Sequence, residues 1–214
     1  MQLTEIMKFK IVLAPMWVNG FIFIPSTLFV CFLYYLGEPY IYEIMSDPIT
    51  YFDGEVWTGF GSNIGIFIWA SSSAIAIFCG IATLHAREDN TKPKFLILLG
   101  LLTLLLSLDD LFLIHDIILP HFGISEYIIY TFYAFSGLYI VFKYLNIISK
   151  TENFLFFIGG IMFCMSIFID VIPSSPLLGF LEDAVKLIGI FAWSGYLIRT
   201  SLLFLNDCIS PAST

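Results

Sequence analysis

Charged residues are scarce in this sequence, and basic residues are the scarcer kind. Only 12% of the 214 residues are charged, with nine Lys and Arg against 17 Asp and Glu. With so few charges and 59% apolar residues, the composition lies outside the range of soluble domains. The lack of a basic stripe argues against a nucleic-acid partner. A mean hydropathy of +0.92 indicates instead an integral membrane protein, with the lipid bilayer as its first partner.

Cysteine and histidine are also few. Three of the four cysteines lie inside long apolar runs and the fourth lies near the C-terminus, so we expect no structural disulfide. No spacing among them predicts a zinc site. Of the three histidines, only His115 has several acidic residues as close neighbours in the sequence.

Apolar runs of about 20 residues, the length that crosses about 30 Å of hydrocarbon, recur along the chain. We predict an all-α fold, a polytopic membrane helix bundle of six transmembrane helices that forms a single domain over residues 1–214. The spans are predicted at residues 11–36, 62–85, 94–119, 125–145, 153–172 and 176–205. An acidic outer loop at residues 37–61 is the longest connection. The start of the chain has no convincing small-residue cleavage site, so we expect the first span to be retained.

The basic residues lie on one side of this predicted bundle. Eight of the nine fall before span 1, around the connections of spans 2 to 3 and 4 to 5, or near the end of span 6: Lys8, Lys10, Arg87, Lys92, Lys94, Lys143, Lys150 and Arg199. The positive-inside rule therefore predicts that both termini are cytoplasmic. Twelve of the 17 acidic residues fall in the opposite half, which would attract cations.

The ninth cation, Lys186, lies inside an apolar span. Its surroundings read LLGFLEDAVKL, so Glu182 and Asp183 are one helical turn away and either can pair with it. Span 3 ends in SLDDLFLIHD, which brings Asp109 and Asp110 to the same outer half. An ionisable residue inside a membrane is costly and is by default a functional-site hypothesis. We therefore predict that these five residues form a buried cluster that binds a cation or a proton.

Other polar residues lie nearer the mouth of this predicted cluster. His115, Asp116 and Asp170 are candidate metal ligands, because carboxylates with an imidazole suit a hard or borderline metal. Ser107 and Trp193 are predicted to support the site. A metal cation is therefore the one cofactor to consider.

Helical phase limits which residues of span 3 can meet. At 100° per residue, a continuous helix puts Asp109 and Asp116 on one face and Ser107 and Asp110 on another. His115 then points between Ser107 and Asp116 and does not stack on Asp110. Because span 3 is polar on more than one face, we expect it to be central in the bundle. The Phe, Tyr and Trp residues are expected mostly at lipid-facing and interfacial positions.

The stretch from Ser107 to Trp193 resembles a group of uncharacterised prokaryotic multi-pass membrane proteins. Two patterns carry the resemblance, D-D-x4-H-[DE] and E-[ED]-x2-K-x2-G-x3-W, matched by Asp109, Asp110, His115, Asp116, Glu182, Asp183, Lys186, Gly189 and Trp193. It implies no established activity, but it implies a prokaryotic inner or plasma membrane. The distribution of basic residues predicts that the cluster lies on the extracytoplasmic side of that membrane. A more distant similarity is to the ceramidase-related intramembrane hydrolases. Those enzymes use several His ligands for zinc, where this cluster has His115 alone.

Three functions stay open. The first is a cation- or proton-binding membrane protein, with the binding coupled to transport and Lys186 acting as an internal counter-charge. The second is an intramembrane metal-dependent hydrolase that acts on a lipid or another apolar substrate. The third is a structural or assembly role, in which the charges hold a homo-oligomer or a partner membrane protein together.

Overall fold

A computed structural model describes residues 24–25, 27–32, 34–35, 48–55, 58–84, 90–170 and 176–209. The regular structure of these residues is all helical, which confirms the predicted all-α class. The number of six spans and the cytoplasmic termini stay predictions. The chain divides into two compact units, Met1–Thr58 and Gly59–Thr214. In the first unit, the described residues between 24 and 35 are helical and Pro48–Tyr51 forms a helical turn.

Two of the sequence predictions fall largely on that first unit. Most of the predicted span 1, residues 11–36, and much of the predicted outer loop, residues 37–61, lie outside the described residues. The prediction of a single domain also stays a prediction.

Five long helices make up most of the second unit. In chain order they are α1 Phe60–Thr83, α2 Thr91–Phe112, α3 Glu126–Ile148, α4 Asn153–Asp170 and α5 Pro176–Ile209. A π-helical segment, Ile114–Ile118, and a helical turn, Leu119–His121, lie between α2 and α3. Among the described residues, these five helices are long and apolar enough to cross a membrane. The chain is therefore a multi-pass helical membrane protein.

Span 3 differs most from its prediction. It was predicted as one helix over residues 94–119, whereas α2 ends at Phe112 because Leu113 adopts the left-handed conformation, with φ 50° and ψ 45°. The backbone N–H of Leu113 donates to the carbonyl oxygen of Asp109, and the chain continues as the π-helical segment. The prediction of a continuous helix is wrong here, and the phase assigned to residues beyond Leu113 is wrong with it.

Small residues let the helices approach closely. A Cβ atom added at Gly159 of α4 would lie 3.1 Å from the backbone nitrogen of Trp193 in α5. One added at Gly100 of α2 would lie 2.8 Å from Ile77 Cγ1 in α1. Across the same contact, the Ser73 hydroxyl donates to the carbonyl oxygen of Gly100 over 2.8 Å. Tight packing of small residues is the usual way in which helices associate in lipid, where the hydrophobic effect contributes little.

The helices pack in the order α4, α5, α1, α2, and α3 contacts α2 and the π-helical segment. Trp193 lies in the core: its ring stacks on Phe156 at 4.9 Å between centroids, and its Nε1–H donates to Thr103 Oγ1 over 3.0 Å. Trp193 therefore ties α5 to α4 and α2. Its position is that of a core residue, one that packs rather than lines an open cavity.

Candidate functional site

The predicted site residues lie where the ends of α2 and α4 meet the beginnings of α3 and α5. Near the end of α2, Asp110 accepts a hydrogen bond from the Lys186 ammonium of α5. Near the beginning of α3, the Tyr130 hydroxyl donates to Asp170, the last residue of α4, over 3.1 Å. Residues from four helices therefore meet at one end of the unit.

Lys186 pairs with an acid on another helix. Its ion pair with Asp110 is mostly buried, with side-chain exposures of 26% for Lys186 and 11% for Asp110. Glu182 is half-buried and Asp183 is exposed, and among the described residues neither forms an ion pair with Lys186. Of the four acids that the sequence placed around Lys186, the one that pairs with it is therefore Asp110, on another helix. The physical reason is that a buried carboxylate loses more hydration than an exposed one, so a counter-charge stabilises it more.

Asp109 is buried and is held by His115. Its side chain is 6% exposed, and its Oδ2 lies 2.5 Å from His115 Nδ1. Its Oδ1 accepts the backbone N–H of His115 over 2.9 Å. The Tyr133 hydroxyl of α3 also lies near this carboxylate and interacts with it electrostatically. The left-handed turn at Leu113 makes the contact possible, because it folds the chain back so that both donors of His115 reach Asp109.

The imidazole of His115 also reaches a second, exposed carboxylate. Its Nε2 lies 3.3 Å from Asp116 Oδ1, and the Asp116 side chain is 48% exposed. The ring of Tyr130 lies against the imidazole at 5.2 Å between centroids. The imidazole therefore connects a buried carboxylate to an exposed one, and we call these three residues, Asp109, His115 and Asp116, the carboxylate–imidazole chain.

His115 lies beyond the end of α2, outside the five apolar helices. Its hydrogen bond to Asp109 is the main cause that raises the pKa of the imidazole above its ordinary value. Burial acts in the opposite direction, as does the positive charge of Lys186, while the charge of Asp116 raises the pKa further. The proton affinity of His115 is thus controlled by groups on α2, α5 and the π-helical segment.

The predicted five-residue network is divided in the structure. Asp110 and Lys186 form one pair, and Asp109 belongs to the carboxylate–imidazole chain. Glu182 lies within the electrostatic reach of Asp170, Asp183 and Lys186.

Ser107 is buried in α2, and within the described part of the chain it forms no hydrogen bond to these carboxylates. The binding roles predicted for the site residues stay predictions.

The metal hypothesis gains no support from the described geometry. In residues 90–170 and 176–209, no three His, Cys, Asp or Glu side chains are arranged to hold a metal ion. Asp170, predicted as a ligand with His115 and Asp116, accepts its hydrogen bond from Tyr130 instead. A metal at these three residues remains a prediction.

Two tyrosines of the site were missed by reasoning from the sequence. Tyr130 and Tyr133 contact Asp170 and Asp109, whereas aromatic residues were expected mostly in lipid-facing and interfacial positions. A signal is present in the segment EYIIYTFYAF, where the two tyrosines are three residues apart and share one helical face. A phenolic hydroxyl inside an apolar helix needs a hydrogen-bond partner, and the facing acids provide one.

The family profile of a domain of unknown function, DUF8692, matches residues 21–200. The chain belongs to this family. The prediction of an uncharacterised family is confirmed to this extent, while the two sequence patterns and the ceramidase similarity stay predictions. No curated protein and no solved structure matches this DUF8692 chain. The carboxylate–imidazole chain and the Lys186–Asp110 pair both lie within the matched residues.

Proposed function

We propose that this DUF8692 protein binds and releases a proton at the buried pair of Asp109 and His115, with Asp116 as the entry point. One observation carries the proposal: the two ring nitrogens of His115 face carboxylates whose exposed fractions are 6% and 48%. Imidazole gains and loses a proton near neutral pH, and it can accept a proton at one nitrogen while donating from the other. A proton taken up at the exposed Asp116 can thus be passed to the buried Asp109.

The neighbouring Lys186–Asp110 pair supports the proposal by placing a positive charge beside this chain. Lys186 opposes protonation of His115, whereas Asp109 and Asp116 favour it. The phenols of Tyr130 and Tyr133 face the imidazole and Asp109 from α3. Opposing charges of this kind keep a histidine responsive to small changes in its surroundings. Lys186 then acts as the internal counter-charge of the first hypothesis, through Asp110.

A proton fits the site better than a larger cation. Lys186 forms an ion pair with Asp110, and within the described residues no three His, Cys, Asp or Glu side chains are arranged to coordinate a metal ion. Coupling of the bound proton to transport is the further part of the same hypothesis. A purely structural role is the competing explanation, and it requires the histidine to hold one protonation state in the folded protein.

The test is a pH titration of His115 in the intact protein by nitrogen-15 NMR, with the signal assigned by loss in His115→Gln. We expect His115 to titrate in the folded protein with its pKa above the ordinary histidine value. Asp109→Asn removes the main cause of the raised pKa, so the pKa should move down. Asp116→Asn should lower it less, because Asp116 is farther from the ring and more exposed.

Stability supplies a second measurement with a defined sign. Because the folded-state pKa is raised, the stabilisation by this hydrogen bond is complete below the ordinary pKa of histidine, about 6.5. It is lost as the pH rises through the raised pKa. The stability difference between wild type and Asp109→Asn should therefore shrink at alkaline pH. Asp207→Asn, at the opposite end of the bundle, is the control and should leave the His115 pKa unchanged. A histidine that does not titrate, or does not respond to Asp109→Asn, contradicts the proposal.

A further inference from the structure

An apolar groove runs between α2 and α3 and uses none of the residues of the polar cluster. It has a volume of 420 Å³, within the range of about 300 to 1,000 Å³ typical of ligand sites. Its α2 wall runs from Leu98 to Leu105, which is about 10 Å along the helix axis. On α3 the groove is lined by Phe132, Ser136 and Tyr139, and the rings of Phe132 and Tyr139 are both more than half exposed.

One end of this groove is basic. Lys94 lies four residues before Leu98 on α2, and Lys143 lies four residues after Tyr139 on α3. Residues four apart share a helical face, so each lysine continues the line of groove residues on its own helix.

The two lysines belong to the same end of the groove. α2 and α3 run antiparallel, because Phe95 packs on Tyr144 with 5.3 Å between ring centroids while Asp109 contacts Tyr133 at the other end. Lys94 and Lys143 are the immediate chain neighbours of that packed aromatic pair.

Both lysines are available to a ligand. Each side chain is exposed, and Lys143 donates to the Tyr139 hydroxyl over 2.7 Å, which places its ammonium beside a residue of the groove wall. Among the described residues, neither Lys94 nor Lys143 forms an ion pair. By contrast, Lys92 and Arg199 at the same end of the bundle pair with acids.

We propose that this groove is a binding site for an anionic phospholipid. An acyl chain lies against the leucines and aromatic rings, and the headgroup phosphate is held by Lys94 and Lys143. The charges decide in favour of an anionic lipid. Two ammonium groups that form no ion pair with the described residues attract a net negative headgroup and gain little from a zwitterionic one. The groove is apolar along its length and has two lysines at one end. This arrangement matches a ligand with an apolar chain and an anionic headgroup.

The experiment is native mass spectrometry of the full-length protein in detergent, with phosphatidylglycerol and phosphatidylcholine of identical acyl chains as probes. We expect phosphatidylglycerol to be retained in preference to phosphatidylcholine. Lys94→Gln and Lys143→Gln should each reduce its retention about five-fold, with a larger loss in the double variant. Lys150→Gln removes an equal charge from the exposed turn after α3 and should leave retention unchanged.

A second variant tests the apolar part with both lysines intact. Ser136→Phe puts a bulky side chain into the groove and should reduce phosphatidylglycerol retention, whereas Leu138→Phe adds bulk on another face of α3 and should not. Equal retention of the two lipids, or an equal loss in Lys150→Gln, would mean general surface attraction and would overturn the proposal. Unchanged binding in Ser136→Phe would overturn the role of the groove. Ser136 and the two lysines lie outside the proton site, so a failure of the lipid proposal would leave the proposed proton binding untouched.

Discussion

Asp109 and Asp110 are consecutive residues with different environments. They point about 100° apart on α2, so one carboxylate meets His115 and the other meets Lys186. The sequence predicted that these acids belong to a polar cluster in the outer half of the bundle. It did not determine the pairing, because the partner of Asp110 is 76 residues away on another helix and Lys186 has two acids nearer in sequence.

Lys186→Met should lower the free energy of unfolding by about 2 to 3 kcal/mol, somewhat less than the loss for a fully buried pair. The variant leaves Asp110, which is only 11% exposed, without its counter-charge. Adding Asp110→Asn should recover most of the lost stability, since the double variant has no unpaired charge at this position. The measurement is the denaturation midpoint of the purified protein in detergent.

Lys92→Met is the matched control for that series. Its pair with Asp207 is exposed, at 39% and 37%, so its loss should cost less than about 1 kcal/mol. Equal losses in Lys186→Met and Lys92→Met, or no recovery in the double variant, would contradict a stabilising role for the buried pair.

At the scale of the helix, the most important feature is the end of α2. Leu113 has a positive φ, which costs a residue with a Cβ about 1 to 2 kcal/mol. Neither glycine nor asparagine, the residues that favour this conformation, occurs in LFLIHDII, so the sequence carries no signal for the break. The hydrogen bonds from His115 to Asp109 compensate for the strain. They form only in the folded arrangement, which is why reasoning by helical phase failed at this point.

Leu113→Gly should therefore raise the free energy of unfolding by about 0.5 to 1 kcal/mol, the relief of strain less the entropy cost of glycine. Leu111→Gly is the control. Leu111 is similarly exposed, at 47% against 42% for Leu113, but lies within the regular helix, so this change should destabilise by about 1 kcal/mol. The comparison uses thermal denaturation in detergent. If both variants lose stability equally, strain at Leu113 is not significant.

At the scale of the whole molecule, the distribution of basic residues predicts the orientation. Apart from Lys186, the lysines and arginines of the described residues lie at one end of the second unit. The polar cluster lies at the other end, which the positive-inside rule assigns to the extracytoplasmic side. If each of the five described helices crosses the membrane, alternate connections lie on the same side. Which side is cytoplasmic is predicted by the positive-inside rule alone.

Labelling of single cysteines by a membrane-impermeant maleimide tests this orientation. Ser125→Cys lies at the polar-cluster end and Ser149→Cys at the basic end, and both positions are exposed. With the native cysteines replaced by serine, we expect Ser125→Cys to react in intact cells. Ser149→Cys should react only after the membrane is opened. The reverse pattern would contradict the predicted orientation.

The sequence by itself determined the class of the protein and the approximate positions of four of its described helices. Apolar runs must match the thickness of the hydrocarbon, so the predicted spans 2, 4, 5 and 6 correspond closely to α1, α3, α4 and α5. The sequence also determined which residues are costly in a membrane, from Asp109 to Lys186. Only the tertiary structure decided how these residues pair. Pairing depends on helix ends that meet across the bundle and on a left-handed turn that only those contacts stabilise, and neither is a property of any local stretch of sequence.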